Sequence, residues 1–323
     1  MSRRILVLLM LCGCPTAAGE RGSLHEHPGT FTAPVSSQAY LGKADARAYE
    51  RNLARLRDLL ARQPVFAAPL GVKIEGYFRP DDERPKSAGL PYAGFGYLRF
   101  HFFFRHEKTG QPVPICCSAD EILVSVNDPG RGLEPFGATY FPSPVLYEPR
   151  RVGEVSGLAV YRLRNGTEVM ILSRSGLPPW QPLTRAEFLE GEVARLKKEV
   201  ADSPAVDTLT PQLLKNHQRA LEAMPADERM LQARSFAWDP LQPMLAPVGS
   251  TDGDPLVRVT PSWFDPKLPR TAFQLIVLRF GFGGALDPDS PRPPDDDNIA
   301  PYRLWQALHT SDWREVGGAL TDE

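Results

Sequence analysis

Histidines, cysteines and clustered carboxylates are the side chains of this 323-residue chain best suited to chemistry, and their spacing limits what each can do. His25-Glu26-His27 offers two imidazoles to a metal. No third ligand lies at ligand spacing, and Pro28, Gly29 and Pro34 give the pair no fixed frame, so the segment reads as a solvated linker. His101 and His106 flank Phe102-Phe103-Phe104-Arg105, and an odd separation along a strand sends two side chains to opposite faces. His217 reads as a helix-flank residue packed against Leu213 and Leu221, and His309 as part of a short amphipathic helix. Cys116 and Cys117 are adjacent: either two small buried thiols in a strand, or a strained vicinal disulfide. A hydrolase site assembled from loops would draw on Arg99, His101, Asp120 and Glu121.

The longer motifs are as sparse. Lys108-Thr109-Gly110 matches one element of the penicillin-binding set, but no Ser-x-x-Lys occurs, so it reads as a hairpin turn. Neither Gly-x-Ser-x-Gly nor His-Glu-x-x-His is present. Gly94-Phe95-Gly96 and Gly281-Phe282-Gly283-Gly284 lack the phosphate-loop pattern and mark strand ends. Asp287, Asp289 and Asp295-Asp296-Asp297 form an acidic proline-rich loop without the glycine-centred ligand order of an EF-hand. No cofactor and no metal site is expected.

The N-terminus says more about place than about chemistry. Arg3 and Arg4 precede an apolar run, Ile5 to Leu11, the layout of an export signal and too short to span a bilayer. Leu11-Cys12-Gly13-Cys14 resembles the bacterial lipobox. That resemblance implies lipidation at Cys14 and a lipoprotein in the cell envelope, held to the membrane and facing the periplasm. Cleavage near Thr16-Ala17-Ala18-Gly19 is the competing reading and leaves a soluble periplasmic or secreted product. The formal charge is −2, without the clustered Lys and Arg that would draw the chain to nucleic acid or anionic lipid. The partner left open is a protein or a small-molecule ligand.

Residues 15–40 lack periodicity and read as a flexible tether that the fold can dispense with. Residues 41–323 then form one domain, divisible at most into lobes 41–180 and 181–323. Ala44 to Gln63 reads as a helix with Ala48, Leu53, Leu56, Leu59 and Leu60 inward and Arg47, Arg51, Arg55 and Arg62 in water, ended by Pro64. Val72 to Phe78 and Gly96 to Phe104 follow as strands, the second alternating Leu98, Phe100, Phe102 and Phe104 against Tyr97, Arg99, His101 and Phe103. Asn165-Gly166 between Ala159–Leu163 and Glu168–Leu172 predicts a two-residue hairpin turn. Thr184-Arg185-Ala186-Glu187 predicts a capping box opening a helix to Val200, and Thr210-Pro211 opens another. Leu256 to Thr260 and Phe273 to Phe282 are the last strands, and Tyr302 to His309 is a closing helix. Strands and helices come in blocks, which predicts an α+β fold: antiparallel hairpins, a few amphipathic helices and many proline-rich loops.

Pro179-Trp180-Gln181-Pro182-Leu183-Thr184-Arg185-Ala186-Glu187 resembles a strand-to-helix junction of exported bacterial proteins of unknown function. Pro261 to Arg270, around Trp263, is similar to a second element of those proteins. The resemblance implies no catalytic residues. It leaves a non-catalytic envelope binding domain as the leading expectation and a periplasmic hydrolase as the alternative, separated by whether a cleft joins a His to a carboxylate.

Overall fold

The computed structural model describes residues 24–36, 43–81, 90–115, 120–136, 145–202, 209–236, 243–259, 263–282 and 299–320. Cys14, Cys116, Cys117 and the acidic loop from Asp287 to Asp297 lie outside the described residues. The fold is α+β, as the block order of the elements implies.

One large sheet organises it. Its strands are β1 (Phe31–Thr32), β2 (Val72–Pro80), β3 (Gly94–Arg105), β4 (Pro112–Pro114), β5 (Glu121–Val126), β7 (Arg150–Val155), β8 (Leu158–Arg162), β9 (Glu168–Ser173) and β12 (Leu275–Gly281). The order is β1-β2-β3-β5-β12-β9-β8-β7, with β4 paired to β3. β1 joins β2 in parallel and the other pairs are antiparallel. Period-2 alternation sets the two faces. Val72, Ile74, Phe78, Leu98, Phe100, Ile122, Val124, Ile276, Leu278, Phe280 and Met170 share one of them and are buried. That face packs under a layer of helices: α1 (Lys43–Ala61), α2 (Pro64–Ala67), α7 (Ile299–Thr310) and α8 (Trp313–Gly317).

The opposite face is covered at one end only. A three-stranded sheet, β10 (Trp180–Pro182), β11 (Leu256–Val259) and β6 (Val145–Tyr147), lies over β9 and β12 and closes a second core with Val169, Leu275 and Val277. Its far side packs on α4 (Arg185–Asp202), through Leu256, Val145, Phe188 and Leu189. Helix α5 (Leu209–Ala223) lies against α4. The short helices α3 (Pro129–Gly132) and α6 (Ala226–Arg229) complete the described elements.

Several local expectations change form. Pro64 ends one helix and starts another, because a proline at the first helical position loses only a donor that has no acceptor there. Tyr49, not Ala48, completes the buried stripe of α1. In the β8–β9 turn only Gly166 has positive φ; the Gly166 amide donates to Leu163 O at 3.0 Å and the Leu163 amide to Thr167 O at 2.8 Å. That is a longer loop than the two-residue turn expected, with Asn165 spared a left-handed conformation because its Oδ1 accepts from the Thr167 amide. The suggested division at 180 is no boundary, since β12 runs between β5 and β9.

The tether reading is corrected most. Leu24 and Ala33 are buried, and residues 24–36 run along the edge of β2. The Ile74 amide donates to Thr30 O at 2.7 Å, the Phe78 amide to Pro34 O at 2.9 Å, and the Gly71 amide to His27 O at 2.8 Å. The backbone, carrying no hydropathy pattern, makes these bonds, so periodicity missed them. Arg303 of α7 fastens the entry, donating from Nε to Leu70 O at 2.8 Å and from Nη2 to His25 O at 3.1 Å.

The capping box forms as spaced. The Glu187 amide donates to Thr184 Oγ1 at 3.2 Å, and the Thr184 amide donates back to Glu187 Oε2 at 2.9 Å. Glu187 Oε1 also takes Arg258 Nη2 of β11 at 2.8 Å, tying the helix start to the small sheet. Trp180 is half-buried, edge-on to Tyr161 at 5.3 Å. Thr184→Ala is therefore expected to lose about 1 kcal/mol and Trp180→Ala about twice that, short of a full core deletion. Urea melts rank the two, and a larger loss at Thr184 would contradict the ranking.

Candidate functional site

Where the small sheet stops, the large sheet keeps an open face across β2, β3 and β5. Alternation places Lys73, Glu75, Tyr77 and Arg79 of β2 there, with Phe95, Tyr97, Arg99, His101 and Phe103 of β3 and Glu121 and Leu123 of β5. Register aligns them in rows. Glu75 sits opposite Arg99 and Arg99 opposite Glu121, giving an acid–base–acid row; Tyr77, Tyr97 and Leu123 form the next. Arg279 of β12 continues that second row beside Leu123.

The face is polar and aromatic at once. Tyr77 and Tyr97 rings lie 5.3 Å apart, and the Arg99 guanidinium sits 4.7 Å from the Tyr97 ring centre. Arg99 Nε is 3.5 Å from Glu121 Oε2, with side chains 42% and 36% exposed, so water screens the pair and it adds little to stability. Partial burial raises the Tyr97 hydroxyl above its ordinary pKa, with Arg99 pulling the other way, so it stays protonated and able to donate. Lys73 pairs with Glu75. At the end of the row Phe95 carries two guanidiniums, Arg79 at 4.5 Å and Arg131 at 4.1 Å, and Arg131 is paired with buried Asp81 at 3.2 Å. Aromatic faces flanked by fixed forks of N–H donors suit stacking and bidentate recognition of a planar or anionic group.

Of the residues proposed for a hydrolase, the structure brings Arg99, His101 and Glu121 onto this face. Asp120, 7% exposed, precedes β5, and strand alternation sets it opposite to Glu121. His101 Nδ1 lies 3.0 Å from Ile115 O, which requires a proton on that nitrogen. His27 packs edge-on against Phe103 at 4.7 Å, a structural contact in place of the linker expected. The sequence reading missed Tyr77, Arg79, Phe95, Arg131 and Arg279. The signal for Tyr77 and Arg79 was available in the alternation Lys73-Glu75-Tyr77-Arg79, while Arg131 arrives from a separate turn that no period encodes. Among the described residues no three His, Cys, Asp or Glu side chains cluster to hold a metal.

A second titratable group lies away from this face. His217 on α5 is 3% exposed, with Nδ1 2.9 Å from Leu213 O. Burial lowers its pKa, against weaker upward pulls from that hydrogen bond and from Glu192. The unfolded chain, titrating near 6.5, then binds the proton more readily than the folded one. Stability is accordingly at its full value above about pH 6.5 and falls as pH drops toward the depressed folded value. Thermal melts between about pH 7.5 and 5.5 should show this loss, and His217→Gln should flatten it. An unchanged slope in that variant would remove His217 as the source.

Comparison with family models, curated proteins and solved structures gives no match to this chain. No helix among the described residues is long and apolar enough to cross a membrane.

Proposed function

We propose that the protein is a bacterial cell-envelope lipoprotein, attached through Cys14, whose folded part is a non-catalytic binding domain. The observation that carries the binding role is the open face of β2, β3 and β5. Tyr77, Tyr97, Arg79 and Arg99 hold half-exposed positions there, while the second sheet covers that face over β9 and β12. A surface that is neither core nor uniformly charged, with aromatic rings already packed against one another, is suited to receive a ligand at little ordering cost. The lipid attachment rests on the signal-like N-terminus and Gly13-Cys14. A hydrolase drawing on Arg99, His101 and Glu121 is the second reading, favoured by their common face.

Two measurements test the two parts. Cys14→Ala, expressed in a bacterial host, should shift the protein from the membrane to the soluble periplasmic fraction; a wild type that is already soluble and begins near Gly19 ends the lipoprotein reading. A photo-crosslinking residue at Tyr97 should give a discrete adduct in cells that Arg99→Ala weakens and that the same probe at Glu222 on α5 does not give. Equal labelling at both positions would remove the sheet face as the binding surface.

A further inference from the structure

Helix α1 turns its arginines away from the core. Arg47, Arg51 and Arg55 are exposed and spaced four residues apart, so they form one row. Neighbouring charges elsewhere on this layer are matched: Arg57 with Asp58 at 2.6 Å, Arg62 with Glu315 at 3.5 Å, Asp45 accepting from the Tyr92 hydroxyl at 2.6 Å, and Asp312 capping α8. Glu50 lies beside the row without an ion pair to it among the described residues. Like charges at four-residue spacing repel, so the row works against the helix that carries it. Arg51, Arg55 and Arg62, with Asp58, line an open groove of about 580 Å³, large enough for a lipid headgroup.

A second feature belongs to the same layer. On the outward side of α7, Tyr302, Trp305 and His309 stack in sequence, the first two rings 5.9 Å apart and the last two 4.5 Å apart. Tyr and Trp with an apolar body and a polar tip favour a membrane–water boundary. The chain from Cys14 also arrives here, since Arg303 of this helix holds His25 O. The stretch from Cys14 to Leu24 spans at most about 35 Å when extended. An anchor at Cys14 therefore keeps the helical layer within reach of the bilayer.

We propose that the helical layer docks on an anionic lipid surface, through Arg47, Arg51 and Arg55 of α1 and the Tyr302–Trp305–His309 ladder of α7. The placement near the bilayer rests on lipidation at Cys14, whereas the charge argument does not. Docking this way turns the open sheet face away from the membrane, toward a ligand in the surrounding space.

The test uses the full chain carrying Cys14→Ala, so that no acyl chain contributes, sedimented with vesicles of phosphatidylcholine alone or mixed with phosphatidylglycerol. Partition onto the mixed vesicles should exceed that onto phosphatidylcholine and weaken as salt is added. Arg47→Ala/Arg51→Ala/Arg55→Ala should lower it roughly a hundredfold, and the triple lysine variant should restore it, because charge near the surface supplies the attraction. All three positions are exposed and alanine favours helix, so the variants keep the fold. Equal partition onto both vesicle types, or a triple alanine variant that binds as well as its parent, would overturn the proposal. The lipid on wild-type Cys14 is read separately, from the mass of the mature N-terminus, so a failed anchor is distinguishable from a failed docking surface.

Discussion

Asn127→Ala should lower the unfolding free energy by about 4 kcal/mol, among the largest effects of any single polar substitution in this protein. Asn127 closes β5 with φ at 55° and is 7% exposed. Its Nδ2 donates to Tyr92 O at 3.0 Å and to Ala272 O at 2.9 Å, and its Oδ1 accepts the amides of Gln274 at 2.9 Å and Leu275 at 3.1 Å. One side chain thus joins the entry to β3, the end of β5 and the entry to β12. Alanine leaves two carbonyls and two amides without those partners, at roughly 1 to 3 kcal/mol for each that stays buried, and must itself adopt a positive φ. Asn127→Asp should do nearly as badly, because a carboxylate cannot donate to the two carbonyls. Urea melts with unchanged slope give the figure, and a loss under about 1 kcal/mol would mean the loops stand without this knot.

Deleting residues 24–36 should cost more still. The segment removes Leu24 and Ala33 from the core, uncovers Phe66, against which Phe31 packs at 5.5 Å, and strips the backbone of β2 of its outer partners. With several kcal/mol lost, and each worth about 1.5 °C in a chain of this size, the thermal midpoint should fall by about 5 °C or more. The shortened protein should also aggregate on warming, because β2 becomes a bare edge. A midpoint within a few degrees of the full chain would show that the segment is an ornament on a domain stable without it.

How far these features could be read from the sequence depended on what encodes them. The capping box, the half-buried alternation of β3 and the helix starts at Arg185 and near Thr210 depend on local residue types at fixed spacing, and they form where expected. The Asn127 knot and the clasp of residues 24–36 depend on backbone groups meeting across long sequence separations. Such contacts leave no periodic trace. The open face was half legible: Arg99, His101 and Glu121 were named for their chemistry, but only the pairing of β2 with β3 and β5 shows that Tyr77 and Arg79 stand beside them. His217 was rightly read as packing, and its depth against α4 follows from tertiary burial that the helix pattern alone does not set.

The position of β12 in the large sheet has a kinetic consequence. This strand is contributed by residues 275–281, yet it bonds β5 on one side and β9 on the other. Until it is in place, the group β2-β3-β5 and the group β9-β8-β7 have no strand in common. A chain emerging from its N-terminus therefore makes nearly all of its length before its central pairing can close, and long-range closure of this kind is slow. On the export route proposed above, such delay would be useful: the part still to be moved would hold the piece that locks the rest.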